Sequence, residues 1–144
     1  MMRRLLRFSV AVVAMAAAVL GPGRPAVADP TLQVSVTGAR LAAGGLQVVL
    51  TGRYVCGPFA PGSDGVVDLS VVQELGPVGT TGYGYLFLTV CDGSTQAWSA
   101  PVDSVGGQFV RGRAQVTGSG YACDRGPAGG CSFGSFGPTA IRIR

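Results

Sequence analysis

The sequence predicts an all-β domain: an antiparallel sandwich of about seven strands, closed by two disulfides and preceded by a signal-peptide helix. Three observations predict it. Apolar and polar residues alternate with period two in short runs separated by Gly, Pro, Ser and Asp, and no amphipathic helical run follows the leader. Four cysteines form an even set in a small chain. The first 28 residues carry the charged, apolar, small-residue order of a secretory leader.

The leader comes first. Arg3, Arg4 and Arg7 precede a 13-residue apolar run, Phe8 to Leu20, which is short of the roughly 20 residues that span a bilayer. Gly21-Pro22-Gly23-Arg24-Pro25 then breaks the helix, and the small Ala26 and Ala28 place the signal-peptidase cut before Asp29. Residues 1–28 are thus read as signal peptide and 29–144 as one domain. Arg7 interrupts the residues that would follow a twin-arginine pair, and no cysteine follows the apolar run to take a lipid. General secretion is expected, to the medium or the cell envelope, with no membrane span after processing.

Processing changes the charge. Of 11 arginines, Arg3, Arg4, Arg7 and Arg24 leave with the leader, so seven remain against seven acids. A neutral product gives no reason to expect nucleic acid as a partner. Removing 28 of 144 residues leaves 116, enough for one hydrophobic core. The mature part contains no Lys, His or Asn, so it has no N-glycosylation acceptor. Arginine as the sole basic residue is the mark of a high-G+C coding sequence.

The strands follow in order. Leu32, Val34 and Val36 alternate with Gln33, Ser35 and Thr37. Leu46, Val48, Leu50, Tyr54 and Cys56 share one face of the second run, opposite Gln47, Thr51 and Arg53. Val67, Leu69 and Val71 alternate with Asp68 and Ser70. Tyr83 to Cys91 is apolar on both faces, which predicts a central or covered strand. Trp98, Ala100 and Val102 form a run whose Pro101 suits an edge. Val110, Ala114 and Val116 oppose Arg111, Arg113 and Gln115, and Ile141 and Ile143 oppose Arg142 and Arg144. Seven short strands suit an immunoglobulin-like sandwich, and the same pattern is compatible with a small barrel. Long glycine-rich loops are expected over Gly57–Gly65, Gly76–Gly84 and Gly126–Gly137.

Cys56, Cys91, Cys123 and Cys131 allow three pairings. Cys56–Cys91 with Cys123–Cys131 is favoured, because the second pair is eight residues apart across a Gly/Pro-rich turn. On the loop-entropy relation these bridges stabilise by about 3.8 and about 2.5 kcal/mol. A four-cysteine zinc site needs close thiolate pairs, and successive gaps of 35, 32 and 8 do not supply them.

The search for chemistry mostly excludes. Gly130-Cys131-Ser132-Phe133-Gly134 matches a G-x-S-x-G nucleophile elbow, but the chain has no histidine or lysine to take the serine proton. Asp64 with Asp68, or Asp92 with Asp103, are the candidate carboxylate pairs for a hydrolase. Asp64-Gly65 and Asp92-Gly93 also read as turn dipeptides. Asp64, Asp68 or Asp92 are the candidate oxygen ligands for calcium, without EF-hand spacing. No metal site or cofactor follows, and no phosphate-cradling G-x-x-x-x-G-K occurs. The aromatics Tyr83, Tyr85, Phe87, Tyr121, Phe133 and Phe136 either pack in the core and brace hairpins or line a groove for an apolar or sugar ligand. Tyr85, Phe87 and Phe133 are the candidate ligand-facing residues.

The run Leu50-Thr51-Gly52-Arg53-Tyr54-Val55-Cys56, then Val71-Val72-Gln73, Cys91-Asp92-Gly93 with Trp98, and Gly112-Arg113-Ala114 resembles a family of small exported actinobacterial domains of unknown function. In that family a G-x-Y-x-C strand precedes a C-D-G turn and a Trp. The resemblance spans most of Gly45 to Cys131. It implies an immunoglobulin-like fold and a Cys56–Cys91 bridge, and it supplies no activity. At the level of fold alone the chain is also similar to the neocarzinostatin-type apoproteins, exported sandwiches with two disulfides. The functional expectation is a non-enzymatic exported module that binds an extracellular or envelope partner. The alternatives are a carrier of a small apolar molecule in a cleft and, more remotely, a carboxylate hydrolase.

Overall fold

The computed structural model describes residues 31–144 apart from Ala128. The expected signal peptide and the expected cut between Ala28 and Asp29 lie outside the described residues. Seven strands appear in the predicted order: β1 (Thr31–Ala42), β2 (Gln47–Gly57), β3 (Asp64–Leu75), β4 (Val78–Leu88), β5 (Thr95–Val105), β6 (Gly112–Cys123) and β7 (Cys131–Ile143). The only helical turn among the described residues is a 3-10 turn, Ala43–Gly45. No helix among them is long and apolar enough to cross a membrane.

The strands close into one barrel in the order β1-β2-β5-β4-β3-β6-β7. The sequence reading expects two separate sheets, whereas the hydrogen-bonded ladder here runs around all seven strands. The immunoglobulin-like sandwich of the sequence reading would leave four edge strands, and here those edges exchange hydrogen bonds over part of their length, which covers that part of an otherwise open edge. The two closing seams are thin. β4 pairs with β5 only over Thr81–Gly84 against Val102–Val105. β1 meets β7 in parallel at Ala39 and Ile143, where the Leu41 N–H donates to the Arg144 carbonyl at 3.0 Å and the Arg144 N–H to the Ala39 carbonyl at 3.1 Å. The β4–β5 ladder stops at Pro101, which has no N–H to extend it and whose carbonyl oxygen crowds Gly84. The edge character expected at Pro101 is therefore local to this seam, since Pro101 pairs with Val49 of β2 on its other side.

Period two fills the interior. Val48, Leu50, Tyr54 and Cys56 on β2, Val67, Leu69 and Val71 on β3, and Trp98, Ala100 and Val102 on β5 are all buried. Phe109, in the β5–β6 connection, plugs one end: its N–H donates to the Gly45 carbonyl at 2.8 Å, and its ring lies over Gly82. Gln73, fully buried, clamps the same connection. Its Oε1 accepts from the Val110 N–H at 2.9 Å, and its Nε2 donates to the Val110 carbonyl at 2.9 Å. A buried amide with both ends satisfied fixes that loop at little net cost.

Two local expectations fail. β4 is not covered on both faces, because Tyr83, Tyr85 and Phe87 project into solvent while Leu86 and Leu88 point inward. Of the glycine-rich segments, Gly57–Gly65 is mostly loop as expected, whereas most of Gly76–Gly84 and the part of Gly126–Gly137 from Cys131 onward are strand. Gly79, Gly82 and Gly84 lie in β4, and Gly134 and Gly137 in β7. At Gly82, Gly84, Gly134 and Gly137 neighbouring groups fill the space a side chain would take, as the Phe109 ring does over Gly82.

Candidate functional site

Both disulfides sit at the barrel end where β2, β4 and β6 finish. Cys56–Cys91 ties the end of β2 to the β4–β5 connection, and Cys123–Cys131 closes the last register pair of the β6–β7 hairpin. No cysteine among the described residues is free. Two such bridges are compatible with an oxidising, extracellular location.

Next to the hairpin bridge, the outer face of β4-β3-β6-β7 carries the aromatic residues. Strand register aligns them. Phe87 on β4 stands opposite Val66 on β3, Val66 opposite Tyr121 on β6, and Tyr121 opposite Phe133 on β7. One row thus crosses four strands, with the Tyr121 and Phe133 ring centroids 6.3 Å apart. Tyr85 and Tyr83 continue down β4, facing the same way. Exposure is 57% for Tyr83, 60% for Tyr85, 70% for Phe87, 45% for Tyr121 and 77% for Phe133. Phe136 behaves differently: its ring covers Gly118 and packs against the core. The three candidate ligand-facing residues therefore share one outer surface, and none of them lines the barrel interior.

Grooves flank this surface. The largest, about 730 Å³, runs between Phe87 and Tyr121 over Val66 and ends at Asp64, Asp124 and Arg125. A second, about 410 Å³, opens where β4 and β5 splay beyond Gly84, between the aromatic residues of β4 and Ser99 and Pro101 of β5. A third, about 440 Å³, lies between Tyr121 and Phe133 and reaches Asp68, Ser119 and Ser135.

Charge at this end is arranged by loops. Arg125 grips Asp64 with the Nε–Nη2 edge of its guanidinium, Nε lying 3.2 Å from Oδ1 and Nη2 2.9 and 2.8 Å from the two carboxylate oxygens, and this hydrogen bonding holds Asp64 below the ordinary carboxylate range. Both groups are exposed, so the pair organises the surface more than it stabilises the fold. Asp124 Oδ1 accepts the N–H of Gly126 at 2.8 Å and of Ala60 at 3.0 Å, with the Ser63 hydroxyl at 3.4 Å. Those bonds lower its pKa, the Gly126 N–H most. Asp92 is lowered by the Ser94 hydroxyl and then by the Ser94 N–H, the geometry of an Asx turn.

Asp124 ties the β2–β3 loop to the β6–β7 loop, and a pH dependence follows. A carboxyl whose pKa is lower when folded contributes stability above its ordinary value of 3.8, and that contribution is lost as pH falls through the folded value. The denaturation midpoint is expected to decline as pH drops below about 5. Asp124→Asn, which keeps an acceptor but removes the charge, is expected to flatten that decline. Superimposable pH profiles for the two proteins would show that the tie does not depend on the carboxylate.

The remaining candidates are kept apart. Asp64 and Asp68 point the same way on β3 but sit four residues apart, about 13 Å along a strand and beyond the reach of a glycosidase carboxylate pair. Asp92 lies in the β4–β5 connection, whereas Asp103 is at the far end of β5, where Gln47 Nε2 donates to it at 2.9 Å. No group of three or more His, Cys, Asp or Glu side chains among the described residues is placed to hold a metal ion. Ser132 sits within a β-hairpin strand, not on a strand-to-helix turn. Asp64-Gly65 opens β3 and does not turn the chain.

Sequence reasoning missed Val66, Asp124 and Arg125. Val66 was legible by parity, since it alternates with the buried Val67. The Asp124 and Arg125 contacts cross about 60 residues of sequence, and no local pattern announces them. Comparison with known proteins finds no matching family model, no similar curated protein and no similar solved structure.

Proposed function

We propose that this chain is an exported, non-enzymatic binding module whose binding surface is the outer face of β4-β3-β6-β7. One observation carries the reading: five aromatic side chains stand exposed together on one sheet face. Scattered exposed apolar residues are ordinary, whereas a contiguous patch marks an interaction site. The leader-like first 28 residues and the two bridges support export. The strand order supports the immunoglobulin-like reading too, with β1-β2-β5 and β4-β3-β6-β7 as the two sheets of a sandwich zipped along thin seams.

A second reading, a carrier of a small apolar molecule, draws on the groove between Phe87 and Tyr121. Its volume suffices for a small ligand, although its floor is a strand and its upper side is open to solvent.

The test is capture from culture medium and cell-envelope fractions by the immobilised protein, compared with a Phe87→Ala/Tyr121→Ala double variant. Specific retention that is competed by free protein and lost in the double variant is expected. Equal capture by both proteins would remove the aromatic face from consideration.

A further inference from the structure

We infer that the ligand of this face is a neutral polysaccharide, lying extended across the aromatic row with its hydroxyls toward Asp68. The inference rests on the proposed binding face and adds the chemistry of what binds there.

The aromatic groups form a platform and not a cage. Tyr83, Tyr85 and Phe87 rise side by side from one strand, about 7 Å apart, and cannot converge on a single small cation. The row from Phe87 to Phe133 crosses four strands, about 14 Å. An L-shaped surface of that length suits a chain.

The surface inside the angle of the L is polar. Asp68 stands opposite Tyr85 on one side and Ser119 on the other, and Ser119 stands opposite Ser135. The Asp68 carboxylate is exposed and has no hydrogen-bond or ion-pair partner among the described residues. A free carboxylate beside aromatic faces excludes several occupants. Lipid, or a purely apolar partner, would strip water from an unpaired charge. A second copy of the chain packed face to face would bring one Asp68 toward the other.

Anionic polymers fit no better, because the arginines are elsewhere. Arg113 and Arg142 stand opposite each other in the β6–β7 register, at the end of the sheet away from the aromatic row, and Arg40 and Arg144 lie beside the β1–β7 seam. Arg125, near the aromatic row, is engaged by Asp64. Among the described residues Arg53 lies on β2 and Arg111 between β5 and β6, so no unengaged cation stands beside the aromatic row to neutralise a phosphate or uronate. A pyranose chain meets every condition: its C–H faces rest on aromatic rings, and its hydroxyls donate to a carboxylate that accepts several hydrogen bonds.

The test uses purified protein with amorphous cellulose, chitin and an insoluble β-1,3-glucan, and with polygalacturonate as the anionic arm. Depletion from the supernatant by at least one neutral glycan is expected, persisting in about 0.5 M salt because the contacts are not ionic. Phe87→Ala/Tyr121→Ala is expected to weaken retention at least about tenfold. Asp68→Asn should weaken it severalfold, with unchanged melting temperature in both variants because all three residues are exposed. Retention by polygalacturonate alone overturns the ligand class. If no glycan retains the protein while a medium or envelope component is captured by wild type and lost in the double variant, the glycan falls and the binding face stands. A double variant that matches wild type in every arm overturns both.

Discussion

Replacing Cys56 and Cys91 together with alanine is expected to lower the unfolding free energy by about 4 kcal/mol, a large part of the net stability of a domain this size. Cys56 is fully buried and Cys91 nearly so, and backbone bonds close around them. The Phe59 N–H donates to the Cys91 carbonyl at 2.8 Å, and the Gly93 N–H to the Cys56 carbonyl at 2.9 Å. The bridge closes a 35-residue separation, against 8 for Cys123–Cys131, so the corresponding hairpin variant is expected to lose about 2.5 kcal/mol. Denaturant unfolding of the two double variants measures both. An equal or smaller cost at Cys56–Cys91 would mean that loop entropy does not set their ranking.

The second large effect is at Gly52, where alanine is expected to cost about 3 kcal/mol or more. A side chain there would run into the Ser35 carbonyl oxygen and come within 2.8 Å of the Trp98 ring. Backbone on one side and a buried indole on the other leave no flexible group to move aside. Trp98 itself is buried with its Nε1–H lacking an acceptor among the described residues, so the ring is held by packing against Gly52. Gly79→Ala, on exposed strand with only the Gln73 carbonyl oxygen near at 3.4 Å, is the control and should change stability by under about 1 kcal/mol. Thermal unfolding of the two variants compares them. Similar losses would show that β2 and β5 have room to separate.

Strand parity was legible because it is local. Alternation in β2, β3 and β5 separates core from surface residue by residue, and the eight-residue spacing of Cys123 and Cys131 already suggests a hairpin staple. Phe109 was not legible. It lies outside any alternating run, and only the chain reversals around it bring it to the open end of the barrel. The aromatic residues were seen as a set, but their arrangement was not. Which of Phe87, Tyr121 and Phe133 stand together depends on the registers of three strand pairs, and neither hairpin lengths nor composition determines all three.

By itself, then, the sequence determined the strand class, the number of strands and their places along the chain, the leader-like N-terminus and the pool of residues from which a site is made. Each is a property of neighbours along the chain, where side-chain period and turn residues act directly. Only the tertiary structure decided that the edges close into a barrel, that β4 turns its aromatic residues outward, and that Asp68 stands beside them with no partner among the described residues. Those outcomes depend on which strands lie side by side, and pairing between distant segments is settled by burial of the whole core at once.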